Sequence, residues 1–436
     1  MKKSAKRILK KARNFALHKL PKNTRHNLIR SQLNLNYDLP EDLVFKIAET
    51  EEELEGAFRL LHDTYVDMGF MQPDKSQMRV TFYHMLPNTT TLVGLYRGEV
   101  VATVSIIRDN PDGLPLETDF DIRPLRETGS VVAEISSLAV RKDFQMSKGL
   151  VLFPLLKFLW IYCRHYFAID QIVMATNPFH SDLFEALILF TPLSDKVVEN
   201  YGFANGAKAV AKVLDLRLAP MRYAAKYADE EASKNLYKFM VTPEMGGVSF
   251  DNIRLPRRWD SRIFDSVITP EILKNLFVKK TKLFQNLSWI QKRLLLSHYG
   301  HPSFIDAVPE LRQIAEEFNV LETQIYRRRF AVRCIAQANL PFADEALRMD
   351  VFDVSSGGLL VKSSGALEEG RVYQLKVVVS EFSISTMTAK VVWQDRSGSY
   401  GLQVIRASKE WDQFIQHLDI NGAQIPAPPN HLKLIA

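Results

Sequence analysis

Two short motifs near the C-terminus combine guanidinium groups, a carboxylate, a hydroxyl and a glycine at fixed spacing. Arg329 and Arg333 form R-x-x-x-R, and twenty residues further on Asp353, Ser355 and Gly358 form D-x-S-x-x-G. An arginine fork can clamp a phosphate with two hydrogen bonds and can stack on or bond to a guanine base. A carboxylate accepts from base nitrogens that carry hydrogen, and glycine permits close approach of the backbone. The two motifs therefore predict a site for a guanine nucleotide with phosphates.

Strand-like segments follow these motifs at 376–379, 387–393 and 401–405, and a helix is predicted over 409–418. In order and spacing, residues 323–418 resemble PilZ domains, the receptors for bacterial cyclic di-GMP. The resemblance implies a small all-β barrel that binds the nucleotide. Its ligands would be Arg328, Arg329, Arg333, Asp353, Ser355 and Gly358. The alternatives are a solvated basic face for the arginines and an ordinary turn for the second motif.

The N-terminal half alternates strand and helix patterns from Val44 to about Leu218. A helix over 51–69 is expected, with Thr50 as its N-cap and acidic residues in its first turn. A tight turn at Arg97 and Gly98 joins two strands into a hairpin. Further strands are expected at 45–48, 131–140 and 171–176, and further helices at 150–167 and 180–189. This pattern predicts a mixed α/β sheet with flanking helices.

Segments 109–115, 125–126, 132–140, 177–180 and 201–209, in this order, resemble the N-acyl amino acid synthase branch of the GNAT acyltransferases. That branch is similar in fold to the acyl-homoserine-lactone synthases, and the resemblance covers roughly residues 45–220. It implies transfer of a fatty acyl group from a pantetheine thioester to an amine without a covalent enzyme intermediate. It also implies an oxyanion donor from the backbone of a splayed central strand.

Glu134 stands at the acidic position of the family's central strand and is predicted to be the general base or the amine anchor. Its alternative is a strand glutamate that faces solvent or a neighbouring arginine. Arg126 and Asp109 match family positions that would hold an amino-acid carboxylate and an ammonium group, respectively. His180 follows Asn177 at a strand-to-helix junction and is the fourth candidate, with a cap or a buried, bonded histidine as its alternative.

The sequence departs from the acyltransferase pattern in two segments. Residues 141–149 contain one glycine, where enzymes that use coenzyme A carry a glycine-rich turn for the pyrophosphate. This difference favours acyl carrier protein over acyl-CoA as the donor. The arginine patch expected after the first helix is replaced by the segment 65–70, so the identity of the acceptor amine is left open.

Charge is unevenly distributed in this chain of net charge +6, because eleven Lys and Arg residues precede the first acid, Asp38. Residues 1–30 include an amphipathic helical pattern that Pro21 ends, which is typical of contact with an anionic membrane or with an acidic protein such as acyl carrier protein. A solvated tail is the alternative, and nucleic acid is not expected because no recognition motif accompanies the charge. Cys163 and Cys334 lie far apart in the sequence, which predicts a reducing, cytoplasmic location for the protein. The protein would be either free in the cytoplasm or peripheral at the inner membrane.

Five segments are predicted: a basic arm (1–43), an acyltransferase-like domain (44–222), a helical connector (223–322), a PilZ-like domain (323–418) and a tail (419–436). In the connector, Leu283, Leu287, Ile290 and Leu294 form a helical stripe that predicts core packing or a homodimer seam. The combined hypothesis is an N-acyltransferase controlled by cyclic di-GMP. The alternatives are a non-catalytic effector of cyclic di-GMP and a synthase of acyl-homoserine lactones.

Overall fold

The protein is described by a computed structural model over residues 20–109, 113–145, 149–167, 169–204, 206–241, 251–254, 268–300, 302–317, 330–338, 346–380, 383–394 and 398–421. The amphipathic helix predicted within the first 20 residues lies outside the described residues, apart from residue 20 itself. The described part begins with helix α1 (Lys22–Ser31), which directly follows Pro21. Arg25 of this helix pairs with Asp182 at 2.7 Å.

A seven-stranded sheet forms the N-terminal half, in the order β1-β2-β3-β4-β5-β7-β6. Its strands are β1 (Leu43–Ile47), β2 (Thr89–Tyr96), β3 (Glu99–Arg108), β4 (Val132–Val140), β5 (Gln171–Thr176), β6 (Thr191–Tyr201) and β7 (Ala207–Asp215). All neighbours are antiparallel except β4 and β5, which run parallel. The predicted mixed α/β fold is confirmed.

Local chemistry accounts for the first elements of this sheet. Helix α2 (Glu51–Met68) has a capping box between Thr50 and Glu53 and ends at Gly69 with φ of 78°. Arg97 and Gly98 have φ values of 53° and 81° between β2 and β3. Two residues with positive φ suit a tight hairpin whose strands twist right-handedly.

Short helices and turns join the remaining strands or follow the last of them. They are α3 (Arg123–Glu127), α4 (Lys142–Gln145), α5 (Leu152–Ile161), α6 (Pro178–Leu183), α7 (Ala219–Tyr227) and α8 (Leu236–Val241), with 3-10 turns at Phe82–Met85 and Pro115–Thr118. Helices α5 and α6 each continue into a π-helical turn, Tyr162–Tyr166 and Phe184–Ile188. Helix α5 packs on one face of the sheet, where Phe158 and Leu155 join Val104 and Ile172 in a buried core.

The connector packs on the other face, against α2. It contains α9 (Pro270–Ile272) with a π-helical continuation (Leu273–Lys280), α10 (Trp289–Tyr299), α11 (Pro302–Ala307) and α12 (Pro309–Glu317). Phe277, Leu295 and Tyr299 share a buried core with Phe58. The Tyr299 hydroxyl donates to the carbonyl oxygen of Met85, so the connector also contacts the turn Phe82–Met85.

The predicted stripe in the connector does not form one helix face, although Leu283, Leu287 and Leu294 do pack against the buried core. Ser288 caps α10 by accepting from Gln291 N, so residues 283–287 lie outside that helix. Ile290 is 64% exposed, whereas Leu295, Leu296 and Tyr299 carry the buried side of α10. A spacing of three or four residues does not define one face when a cap separates its members.

The C-terminal part is a closed six-stranded antiparallel barrel, as predicted. Its strands are β8 (Phe330–Ala338), β9 (Leu347–Ser355), β10 (Gly358–Ser363), β11 (Val372–Ser380), β12 (Ser383–Gln394) and β13 (Ser399–Ala407). Helix α13 (Lys409–Asn421) follows, and its Trp411 and Leu418 are fully buried in the barrel core. Among the described residues, no helix has both the length and the apolar character that crossing a bilayer requires.

Candidate functional site

A gap opens in the middle of the seven-stranded sheet between β4 and β5. These strands pair in parallel only from Val132 to Glu134, against Gln171 to Val173. Further along, β4 remains paired with β3, and β5 remains paired with β7 as far as Thr176. Ser137 adopts φ of 57° and forms a bulge in β4. Beyond Glu134 the facing edges of β4 and β5 are not paired with each other, so backbone groups along these edges can face a bound molecule.

Glu134 occupies the apex of this gap, since it is the last β4 residue paired with β5. Its side chain is 1% exposed, and Oε2 accepts a hydrogen bond from the backbone N–H of Leu116 at 2.9 Å. Burial raises the pKa of Glu134 from 4.5 to about 8, partly offset by the Leu116 bond and reinforced by the charge of Glu117. A carboxyl group of this kind can exchange a proton with an amine near neutral pH.

Arg126 and Asp109 contact each other beside Glu134. The Arg126 guanidinium donates to Asp109 through Nε at 2.7 Å and Nη2 at 2.6 Å. It also donates to both carboxylate oxygens of Glu117, each at 2.6 Å. Two carboxylates therefore face the arginine that the sequence predicts as a carboxylate ligand.

This ion cluster holds the turn that contacts Glu134. Glu117 accepts from the N–H of Leu114 at 2.7 Å and so closes the 3-10 turn Pro115–Thr118. Leu116, inside the same turn, is the residue whose N–H bonds to Glu134. Asp109, Arg126, Glu117 and Leu116 thus form a continuous path that ends on the candidate base.

His180 lies on a different element from this group. It is in α6, beyond the carboxyl end of β5, whereas Glu134 pairs with Val173 in the middle of that strand. Asn177 caps α6 by accepting from Phe179 N at 3.0 Å, and the His180 ring stacks edge-on against Phe179 at 5.2 Å between centroids. These contacts are those of a helix terminus.

Sequence reasoning missed His84, which is buried behind the gap. Its Nδ1 accepts from Thr81 N at 3.0 Å, so the neutral ring carries its proton on Nε2. That nitrogen faces Ser137 Oγ at 3.3 Å and Ser105 Oγ at 3.4 Å. Burial, with a smaller effect from the charge of Arg79, lowers the pKa of His84 to about 3. A neutral histidine here fixes the bulge in β4, and no sequence motif indicated it.

The segment after β4 differs from a diphosphate cradle in its charges as well as in its glycines. Arg141 pairs with Glu99 and Asp143, each at 2.9 Å, and Lys142 pairs with Asp67. Gly149 has φ of 84°, and a Cβ there would meet the Phe153 ring at 2.4 Å. Cations described in this segment are therefore neutralised by neighbouring acids.

The two motifs that the sequence predicts as nucleotide ligands meet on adjacent strands of the barrel. Ala331 pairs with Asp353, and Gly358 pairs with Ser355 across the following hairpin. Ser355 Oγ lies 3.5 Å from the carbonyl oxygen of Gly358, and a Cβ at Gly358 would lie 3.1 Å from Leu402 O. Arg333 lies on β8, but its side chain, like Arg328 and Arg329, is outside the described residues.

Two family models match the chain in these two regions. Residues 56–215 match the model described as N-acyl amino acid synthase FeeM. Residues 326–429 match the model described as PilZ domain. The chain joins an FeeM domain to a PilZ domain. Glu134, Arg126, Asp109 and His180 lie in the FeeM domain, and all six predicted nucleotide ligands lie in the PilZ domain.

Solved structures similar to the chain include FeeM, an N-acyl amino acid synthase from uncultured soil microbes, at 24% identity and a TM-score of 0.36. That similarity covers 41% of this chain and 93% of FeeM. The acyl-homoserine-lactone synthase LasI has 14% identity and a TM-score of 0.32, over 48% of this chain and 98% of LasI. ElaA from Escherichia coli has 12% identity and a TM-score of 0.28, over 40% and 99% of the two chains. Curated proteins provide no match.

Proposed function

We propose that this protein is an N-acyltransferase whose activity responds to cyclic di-GMP. The FeeM domain would transfer a fatty acyl group from a pantetheine thioester to an amine. The observation that supports this most strongly is Glu134, a buried carboxyl group with a pKa of about 8 at the apex of the β4–β5 gap. The match to an N-acyl amino acid synthase family favours an amino acid as the acceptor.

In the proposed reaction the thioester lies along the gap, with its carbonyl oxygen facing backbone N–H groups at the edge of β4. An ammonium group protonated in solution transfers a proton to ionised Glu134 and becomes nucleophilic. The nitrogen attacks the carbonyl carbon, and the backbone donors stabilise the resulting oxyanion. The C–S bond then breaks, and the pantetheine leaves as a thiolate that takes the proton from Glu134, which returns the carboxylate to its ionised form. The nitrogen loses its remaining excess proton to solvent.

Acyl carrier protein is the proposed donor rather than acyl-CoA. Arg141 and Lys142, which follow β4, are paired with acidic side chains instead of being available to a diphosphate. A protein-bound pantetheine does not require that interaction, because contacts between the proteins supply affinity. A higher kcat/KM for acyl-CoA than for the same acyl group on acyl carrier protein would contradict this part.

The activity is tested with the purified full chain, dodecanoyl acyl carrier protein or dodecanoyl-CoA, and the twenty amino acids. Mass spectrometry of the products, with and without cyclic di-GMP, is expected to find an N-acyl amino acid. A lactone product would favour an acyl-homoserine-lactone synthase. Absence of turnover under every condition would reject the enzyme and favour a cyclic di-GMP effector that only binds a partner or an acyl chain.

The PilZ domain is the proposed receptor for cyclic di-GMP. Antiparallel pairing of β8 with β9 brings the backbone of the R-x-x-x-R motif beside Asp353, and the β9–β10 hairpin places Ser355 next to Gly358.

Calorimetric titration of the full chain with cyclic di-GMP should therefore detect binding. Arg333→Ala is expected to weaken binding by about 10- to 100-fold, the range for losing a charged hydrogen-bond partner. Arg406→Ala, an exposed barrel arginine outside both motifs, should bind like the wild type.

A direct contact between the two domains supports the proposed response. Lys362, four residues after Gly358 on β10, donates to the carbonyl oxygen of Gly129. Gly129 ends the turn after α3, and its N–H bonds to the carbonyl oxygen of Arg126 at 2.9 Å. Arg126 in turn holds the turn that contacts Glu134. A shift of β10 on nucleotide binding could therefore alter the position of the candidate base.

A further inference from the structure

Arg79 is a buried arginine that has no acidic partner among the residues the structure describes. It lies between α2 and the turn Phe82–Met85 and is 8% exposed. Its Nη2 donates to the carbonyl oxygen of Phe203 at 2.6 Å, and its guanidinium carbon lies 4.3 Å from the centre of the Tyr65 ring. Nη1 is buried and has no hydrogen-bond partner among the described residues.

This arrangement of Arg79 lowers the stability of the fold when no anion is bound. An arginine stays protonated in proteins, so it cannot escape the cost of burial by losing its charge. A buried ion is normally paired because its desolvation is expensive. One carbonyl oxygen and the faces of Tyr65 and Phe203 compensate only part of that cost. The guanidinium therefore retains the capacity to bind an anion.

A chain of aromatic side chains links Arg79 to the candidate base. The guanidinium lies 5.3 Å from the centre of the Phe203 ring, which is 6.2 Å from the Tyr201 ring. Tyr201 is 2% exposed, and its hydroxyl is a second buried polar atom without a hydrogen-bond partner among the described residues. Burial, together with the nearby charge of Glu134, raises the pKa of Tyr201. Unsatisfied polar groups thus extend from Arg79 towards Glu134.

We infer that Arg79 binds the carboxylate of the acceptor, so that the enzyme selects amines that carry a carboxylate. This inference rests on the proposed acyl transfer and assigns the acceptor anchor to Arg79 instead of Arg126. Arg126 already faces the carboxylates of Asp109 and Glu117. A carboxylate on Arg79 would accept from the unsatisfied Nη1, and Tyr201 would lie between the anchor and the base.

The test uses pairs of acceptors that differ only by a carboxylate: glycine and methylamine, phenylalanine and phenethylamine, 4-aminobutyrate and propylamine. With the wild-type full chain, kcat/KM for the preferred acid is expected to exceed that of its matched amine by about 10- to 100-fold. Arg79→Met should remove this preference by lowering kcat/KM for the acid towards the value for its matched amine. Arg97→Met, which removes an exposed arginine stacked on Tyr96, should keep the preference.

Thermal unfolding separates a binding role from a structural one. The apo Tm of Arg79→Met is expected to equal or exceed that of the wild type, because an uncompensated buried charge is removed. The wild type, but not Arg79→Met, should gain Tm when the preferred amino acid is added. Unchanged acid preference in Arg79→Met, or no Tm gain in the wild type with any of the three acids, would overturn the inference. If the wild type turns over amines without preferring acids, only the assignment of Arg79 as the carboxylate anchor is overturned. If the wild type shows no turnover, the proposed function is overturned.

Discussion

In the proposed acyl transfer, the pKa of Glu134 determines the pH range in which the reaction can proceed. The base must be ionised, and burial raises its pKa to about 8. We therefore expect kcat/KM to rise with pH from 6 to 9, with a midpoint near 8. Glu134→Gln should lower kcat/KM by about 10²- to 10⁴-fold, the usual contribution of a positioned base. Stopped-time assays with mass spectrometry across this pH range measure both effects.

Glu199→Gln provides the matched control for that substitution. Glu199 is an exposed glutamate on β6 that pairs with Lys208, so its variant should retain the wild-type rate and pH profile. Full activity in Glu134→Gln, or a wild-type kcat/KM that does not change between pH 6 and 9, would show that Glu134 is not the base.

Glu134 should also impose a pH dependence on stability. Its pKa is about 8 in the folded protein and 4.5 as an ordinary glutamate. Between these values the unfolded chain releases the proton that the folded protein retains, so ionisation favours unfolding as pH rises. The Tm of Glu134→Gln minus that of the wild type is expected to increase between pH 5 and 8. A pH-independent difference measured by calorimetry would contradict the raised pKa.

Residues differ in how far the sequence alone predicts them. Glu134 is recognisable as an acid within an apolar strand, but its ionisation depends on burial that only the folded sheet creates. The sequence indicates Arg126 as a site residue, but it does not indicate that Glu117 is its partner. Arg79 and His84 belong to no motif. Their environments come from elements far apart in the chain, such as Phe203 beside Arg79 and Ser137 beside His84.

At the scale of elements, the 3-10 turn Pro115–Thr118 positions Glu134, the proposed base, because Arg126 fixes Glu117. Arg126→Ala should release this turn and weaken the bond from Leu116 to Glu134. That bond lowers the pKa of Glu134, and the unpaired acids would add negative charge nearby, so the pKa should rise. We expect the midpoint of the pH–rate profile to move upward by about one unit or more, with a lower kcat.

Arg123→Ala is the control on the same helix. Arg123 is an exposed arginine of α3 that pairs with Asp121 at 2.7 Å, so its loss removes a similar ion pair away from Glu134. Its pH profile should match the wild type. If Arg126→Ala mainly raises KM for amino acids without moving the midpoint, Arg126 would instead contact the acceptor carboxylate, as the family resemblance implied.

Elements with local signals could be predicted, and elements defined by packing could not. The Thr50 cap and the Arg97–Gly98 turn encode α2 and the β2–β3 hairpin within a few residues. The connector depends instead on which side of α10 enters the buried core that it shares with α2, and Ser288 breaks the apolar spacing that predicted a single stripe. Likewise, the extent of the β4–β5 gap is a property of strand pairing that no single segment contains.

At the scale of the whole molecule, the two domains are connected by more than the linking segment. Lys362 of β10 reaches Gly129 beside α3, and Tyr299 of the connector reaches Met85 beside His84. Both contacts end on backbone carbonyls of turns that support the gap. Movement of the barrel or of the connector could thus reach the FeeM domain without altering its core.

Lys362→Met tests the first of these routes. Its side chain keeps a similar length but loses the donor, so the contact with Gly129 cannot form. Binding of cyclic di-GMP should stay within about twofold of the wild type, because Lys362 lies outside both nucleotide motifs. The ratio of acyl-transfer rates with and without the nucleotide should fall towards one.

Lys376→Met is the control, because Lys376 is an exposed lysine on β11. This variant should keep both the binding of the nucleotide and the response to it. A wild-type rate ratio in Lys362→Met would exclude this contact from the response and leave the Tyr299–Met85 contact as the route to examine.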